Sequence, residues 1–548
     1  MKTIRPFLAP EHTAFFAAAI AAAGALFRMH RHALAALLLV LLSGCASLPP
    51  NTDRMPSLAF SDTDHTQLGQ AIAVRTAANP GKDGVHALGN GRDAFALRMA
   101  LAAAAQRSLD LQYYIWRSDM VGKLMFEQVW KAAERGVRVR LLLDDQSTRG
   151  MDETLAVLDA HPNIEVRLFN PYMSRRFRTG DIVTDFERIN RRMHNKSFIA
   201  DNQAVILGGR NIADEYYGAA TGTDFADLDV AVVGPVARQV SKGFDLYWNC
   251  ESAYPVSKII GPAGADGLAH LQEEWDKLRT DPEAQRYIEE VRNTPLMQQL
   301  LARTLPLEWT SVKIIYDDPE KILHPPEYIE THLLPRIQST MGRPMRELDL
   351  VSPYFVPGKN GLEGLVALRE SGVQVRVLTN ALAATDVGPV HAGYKKYRVA
   401  LLQAGVQLYE LKAGADTGER KQGKSKEGGD GGGSGGSSGA SLHAKTFGVD
   451  RSRVFVGSFN LDPRSSRLNT ELGAVIESPT LASRLSEAFE TRIPNNAYRL
   501  RLAADGHHIE WIERTNEGER VLTSEPETGL LRRMWVGFLS LLPIEDLL

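Results

Sequence analysis

The chain has 548 residues, 44% hydrophobic and 24% charged, enough for two or three domains with substantial cores. Its 63 basic and 66 acidic side chains leave a net charge of −3, which argues against a nucleic-acid-coating protein and predicts no nucleic-acid partner. The only cysteines, Cys45 and Cys250, exclude a disulfide framework and a cysteine-rich zinc site.

Residues 1–50 have the layout of an export signal. A basic stretch, Arg28-Met29-His30-Arg31-His32, precedes an apolar run from Ala33 to Leu42 and then Ser43-Gly44-Cys45. A cysteine directly after small residues resembles a bacterial lipoprotein signal, so Cys45 is the expected lipidation site. The expected location is the bacterial cell envelope, attached to the membrane. Residues 51–92 are polar and mixed and read as a tether. An Ala-rich helix follows from about Asp93.

From there the chain repeats itself. Leu109-Asp110-Leu111 and Leu348-Asp349-Leu350 each begin a strand. In both places a helix and a second strand follow, at Gly136–Leu141 and Gly372–Val377. Strand, helix, strand at this spacing predicts parallel βαβ units, so residues 93–255 and 313–500 read as two copies of one α/β domain. Residues 256–312 are helical and polar and read as a connector. Residues 418–440 are almost all Gly, Ser, Lys, Asp and Glu, which predicts a disordered insertion in the second copy. In 501–548, Leu530, Leu531, Met534, Trp535 and Phe538 recur at helical spacing, which suits either a membrane-interface helix or one docked on the core.

The chemistry lies in a duplicated motif. The first copy holds His194, Lys196, Asp201, Gly208 and Asn211; the second holds His443, Lys445, Asp450, Gly457 and Asn460, at identical spacing. A lone His-x-Lys strand is usually a surface histidine beside a solvated lysine, but two copies in equivalent halves reverse that expectation. His and Lys two apart on a strand share a face. Turn-forming clusters at Asp201 and Asp450 fold a hairpin that sets His194 opposite Asn211 and His443 opposite Asn460. Gly208 and Gly457, followed by Gly209 and Ser458, keep the returning strand slim enough for a phosphate to approach. Asp201 and Asp450 then sit at the turns, in structural roles. Two ammonium and two amide groups suit the charge that develops on an attacked phosphodiester, with one imidazole as nucleophile and the other as acid. Each imidazole needs an orienting carboxylate, and position within each half suggests Asp227 for His194 and Glu471 for His443. Nothing near the histidines has metal-ligand spacing, so neither a metal nor another cofactor is expected.

These residues resemble the phospholipase D superfamily with its twin HKD motifs, and within it the bacterial cardiolipin synthases. The resemblance runs from about Asp93 to the end and includes Leu111-Gln112-Tyr113-Tyr114-Ile115-Trp116, Leu142-Leu143-Asp144-Asp145, Val390-His391-Ala392-Gly393-Tyr394 and Gly457–Ser465. It implies two α/β/α sandwiches related by a pseudo-twofold axis, with one active site at their interface. It also implies phosphatidyl transfer through a phosphohistidine at His194, with phosphatidylglycerol as acceptor and phosphatidylethanolamine or phosphatidylglycerol as donor, and a small partner protein as a candidate associate. The rival reactions are hydrolysis to phosphatidic acid and, more remotely, phosphodiester cleavage in nucleic acid. A cluster of Arg175, Arg176, Arg178, Arg188, Arg191 and Arg192 suits either anionic headgroups or a solvated face. Tyr113, Tyr114 and Trp116 suit either the pocket or the core.

Overall fold

The computed structural model describes residues 47–220, 222–415, 439–543 and 545–548. Cys45 with nearly all of the signal region, and nearly all of the glycine-rich insertion, lie outside the described residues.

The described strands form two large mixed sheets and a small two-stranded one, Asp224–Ala226 with Ala440–Leu442. The first has nine strands in the order Glu308–Thr310, Asp83–Leu88, Asp229–Val233, Ala204–Gly208, Ser197–Ala200, Ser108–Tyr113, Arg138–Asp144, Ile164–Phe169 and Ala253–Pro255. The second has ten: Val312–Tyr316, Leu472–Ile476, Arg453–Gly457, Lys445–Val449, Glu347–Val351, Gln374–Asn380, Gln407–Leu411, Ala497–Leu502, Ile509–Thr515 and Gly518–Leu522. Six neighbouring strands, from Asp229–Val233 to Ile164–Phe169 and from Leu472–Ile476 to Gln407–Leu411, repeat in the same spatial order. In each copy three parallel strands adjoin an antiparallel hairpin. The fold is therefore a duplicated α/β domain.

The centres of the two sheets match in detail. Arg140 forms a buried two-point ion pair with Asp110 on the adjacent strand, at 2.6 and 2.8 Å. Arg376 does the same with Asp349, at the same two distances. Leu141, Leu142 and Leu143 are buried on both faces, as a central parallel strand requires. One apolar cluster takes Val205, Leu207 and Val230 from the first sheet and Val454, Val456 and Ala474 from the second, so the halves share a core.

Three expectations change. Residues 51–92 are not a tether: they carry the helix Gln67–Ala77 and the strand Asp83–Leu88, which pairs inside the first sheet. Polar side chains mask this in the sequence, because they bind the domain directly; Asn51 donates to Ala253 O and Arg54 to Asn249 O. Residues 501–548 supply two antiparallel strands to the edge of the second sheet before their helix. The third concerns the arginine cluster. Arg191 and Arg192 are buried and structural, with Arg192 held by Asp144 and by Asn170 O. Residues 172–190, with helices Arg178–Thr184 and Phe186–Ile189, belong to a different compact unit from Arg191 and Arg192. This unit carries Arg175, Arg176, Arg178 and Arg188 and exposes Phe177 and Val183.

Candidate active site

Each histidine lies just before its hairpin rather than within it. The hairpins run Ser197–Ala200 with Ala204–Gly208, and Lys445–Val449 with Arg453–Gly457. They pair Ser197 with Leu207 and Lys445 with Gly457, one residue away from the expected centring. Asp201 and Asp450 occupy the turns with left-handed backbone (φ 51° and 53°). The Asp201 carboxylate accepts from the amides of Gln106, Arg107 and Ser108, and Asp450 from those of Met345, Arg346 and Glu347. The third residue of each motif thus ties its turn to the start of a central strand.

Upstream of each hairpin the chain is extended and crosses to the other half. Ala440–Leu442 pairs in parallel with Asp224–Ala226, setting Leu442 beside Ala226. A bridge sets Met193 beside Thr470, also in parallel. The next residues then fall together: His443 with Asp227, and His194 with Glu471. His443 Nδ1 lies 2.6 Å from Asp227 Oδ2, and His194 Nδ1 lies 2.9 Å from Glu471 Oε2. This reverses the expected pairing of Asp227 with His194 and Glu471 with His443. Position within each repeat locates the acids, but the parallel strand exchange assigns them across the pseudo-twofold.

Room for these carboxylates comes from the motif's small residues. A Cβ on Gly209 would stand 2.1 Å from Asp227 Oδ1, and one on Gly208 2.4 Å from Asp229 Oδ1. Gly208 also has φ 156°. A Cβ on Gly457 would stand 2.4 Å from Leu472 O. At the position equivalent to Gly209, Ser458 donates to Glu471 Oε2 at 2.5 Å, while Ser465 donates to Glu471 Oε1 at 2.7 Å. Glu471 is also fixed through its amide, which donates to Asp317, itself paired with buried Lys321.

His194, Lys196, Asn211, His443, Lys445 and Asn460 are all buried. Lys196 Nζ donates to His194 O and Lys445 Nζ to His443 O. Asn211 accepts from the Ile115 amide and donates to Tyr216 Oη, whereas Asn460 Oδ1 has no hydrogen-bond partner among the described residues. An aromatic edge supports each imidazole: Tyr114 against His194 and Tyr216 against His443, both at 5.0 Å. Tyr113 and Trp116, by contrast, belong to the core.

The electrostatics follow from burial and crowded charge. Burial, with Lys196 and Lys445 nearby, pushes His194 well below the ordinary imidazole value. Burial and Lys445 bring His443 down to about 4 against the pull of Asp227. Burial also lowers Lys196 strongly and brings Lys445 down to about 8. Burial lifts Glu471 to about 7, opposed by Lys196 and the two serines. For Asp227, burial acts upward, but His443 and Lys445 overcome it and hold the carboxyl at about 2. Because a carboxylate only accepts, the Asp227 contact puts the His443 proton on Nδ1 and leaves the Nε2 lone pair outward. Lys445 also influences His194, and Lys196 influences His443, so the two motifs make one electrostatic site.

Several functional residues escaped sequence reasoning. Asp144 accepts from the Met193 amide, and its counterpart Asn380 bonds both the amide and the carbonyl of Leu442. Each is the last residue of an equivalent strand, a signal that aligning the repeats would have exposed. Tyr216, Asp317 and Lys321 carry no such signal. Tyr354 Oη donates to exposed Asp386 at 2.8 Å, and the Asp386 charge acts on Lys445, so this pair marks the solvent side of the site. Among the described residues, no cluster of three or more His, Cys, Asp or Glu is arranged for a metal.

Comparison with known proteins agrees with this geometry. The family described as "Cardiolipin synthase, PLD-like domain" matches residues 99–248 and 335–493, one copy in each half. Cardiolipin synthase C of Escherichia coli (strain K12) is 44% identical over 486 residues, covering 88% of this chain and 100% of that protein. The major cardiolipin synthase ClsA of Bacillus subtilis (strain 168) is 24% identical over 414 residues, 74% of this chain and 68% of that protein. The crystal structure of phosphatidylserine synthase from Haemophilus influenzae Rd KW20 shares the fold, with a TM-score of 0.51 and 12% identity, over 87% of this chain and 100% of that one. The chain belongs to the cardiolipin synthase family of phospholipase D-like proteins.

Proposed function

We propose that the protein is a cardiolipin synthase, a phosphatidyltransferase that works through a phosphohistidine at His194. The observation that carries this reading is the pair of crossed His–carboxylate contacts, which joins two buried imidazoles and two buried lysines into one site suited to a phosphate. In the first step His194 Nε2 attacks phosphorus. The bond from phosphorus to the headgroup oxygen breaks, and His443 gives that oxygen a proton. Phosphatidylethanolamine releases ethanolamine as donor, and phosphatidylglycerol releases glycerol. In the second step a free glycerol hydroxyl of phosphatidylglycerol gives its proton to His443 and attacks phosphorus. The phosphorus–nitrogen bond breaks, and cardiolipin leaves. Lys196, Lys445, Asn211 and Asn460 hold the phosphoryl oxygens. His443 must be cationic to act as acid. Burial and Lys445 lower its value, and the negative phosphate bound between the lysines opposes that effect.

Lipid mass spectrometry on the purified chain tests the reading. Cardiolipin is expected from phosphatidylglycerol vesicles with and without phosphatidylethanolamine. Phosphatidic acid as sole product would instead make the enzyme a hydrolase. A requirement for a small partner protein would appear as activity in extract that the purified chain lacks. The same reading puts the enzyme at the bacterial envelope membrane, exported and lipid-anchored through Cys45. Incorporation of labelled fatty acid that Cys45→Ser abolishes is the expected result.

A further inference from the structure

We propose that the C-terminal helix Leu530–Leu539 docks on the phospholipid monolayer that supplies the substrates and holds the solvent side of the reaction site against the headgroups. The inference rests on the lipid-transferase reading above.

The helix is amphipathic in the inverted sense. Its inner face packs Val536 and Leu539 on Leu382 and Ala392. Its outer face carries Leu530, Leu531, Met534, Trp535 and Phe538, continued by Leu541, each 52–83% exposed. A surface helix normally turns such residues to the core, and a contiguous exposed apolar face marks an interaction surface. Trp535 and Phe538 stack with centroids 5.8 Å apart, an aromatic pair suited to the headgroup boundary.

Position identifies the occupant as lipid. Arg532 donates to the carbonyl of Thr385, the neighbour of Asp386 on the solvent side of the site. The chain end meets a second stretch beside the motif: Arg464, in the helix Pro463–Arg467 that begins three residues after Asn460, donates to Leu547 O at 2.7 Å. The segment is thus tied to two stretches of chain that adjoin the site. A long-chain phospholipid keeps its acyl chains in the monolayer while its phosphate reaches buried histidines, so a surface flanking the entrance must meet the monolayer. The contact is apolar rather than ionic. Arg532 is turned inward, and Arg533 lines a cavity of about 580 Å³ shared with Arg520, Glu513 and Glu525. Docking through this face should therefore depend little on salt.

Two measurements test the proposal on the full chain. In phosphatidylglycerol/phosphatidylethanolamine vesicles with brominated acyl chains, the emission difference between wild type and Trp535→Phe should be quenched relative to unbrominated vesicles. An unquenched difference overturns the proposal. The exposed-face variant Leu531→Ser/Trp535→Ser/Phe538→Ser should lose activity on vesicle lipids by about tenfold or more, since it removes most of the apolar contact, yet keep wild-type activity on monomeric short-chain lipids. Equal loss on both substrates overturns the proposal, as does wild-type self-association that the triple variant abolishes with vesicle activity unchanged. If wild type forms no cardiolipin-type product even from short-chain lipids, the transferase reading fails, and the quenching result still decides docking.

Discussion

His443 depends on a carboxylate from the other half of the molecule, and so does His194. The crossed contacts separate the two histidines experimentally. In Asp227→Asn, His443, the acid of the proposed mechanism, loses its orienting partner while His194 keeps Glu471. With a phosphodiester donor bearing a p-nitrophenyl leaving group, which needs no proton, this variant should still show a burst of p-nitrophenol and a phosphatidyl adduct by intact mass. Turnover of natural lipid should fall by about a hundredfold or more. Glu471→Gln should suppress the burst itself. The opposite pattern would return the acids to the pairing expected from sequence position. The six motif residues stood out in the sequence because their spacing repeats, and the two acids because each lies in the matching stretch of its half. Which acid serves which histidine was not legible, since the exchange of Met193 with Thr470 and of Leu442 with Ala226 is a tertiary pairing with no local pattern.

Hairpins and strand starts carry the next level. Asp450 bonds three consecutive amides at the start of Glu347–Val351 and sits far from chemistry. Burial acts to raise its carboxyl, but those amides dominate and hold it below the ordinary value of 3.8. A lowered acid stabilises the fold above its unfolded-state value, and that stability is lost as pH falls through the folded-state value. Asp450→Asn should therefore cost about 1–3 kcal/mol at neutral pH in thermal or urea unfolding, with catalytic rate per folded molecule unchanged. The gap to wild type should close in acid. Gly209→Ala should do the reverse, sparing stability more than activity, because its Cβ meets Asp227 Oδ1 at 2.1 Å and drives it from His443. The βαβ strands were readable from apolar runs and repeats. The strand Asp83–Leu88 was not, because its place in the sheet is set by pairing with residues more than a hundred positions away.

At the scale of the whole molecule, one chain makes one site, and its titration belongs to the set rather than to any residue. The duplication was legible as a repeated register, whereas the depth of burial that sets the charges comes only from the assembled halves. On the proposed mechanism two consequences follow for kcat/KM of the p-nitrophenyl donor, whose leaving group needs no proton from His443. His194 must be neutral to attack, and burial with the two lysines pushes its value well below that of a free imidazole, so activity should persist below pH 6.5. Lys445 must be cationic to hold the phosphoryl charge, and burial lowers it to about 8. As pH rises through that value the ammonium is lost, so the rate should fall on an alkaline limb near pH 8 rather than near 10. Lys445→Arg keeps the charge at any accessible pH. Its overall rate should be lower, because a planar guanidinium replaces a compact ammonium, but its alkaline limb should move upward by more than one pH unit. A limb that stays near pH 8 in Lys445→Arg would assign it to another group and remove Lys445 as the residue that sets it.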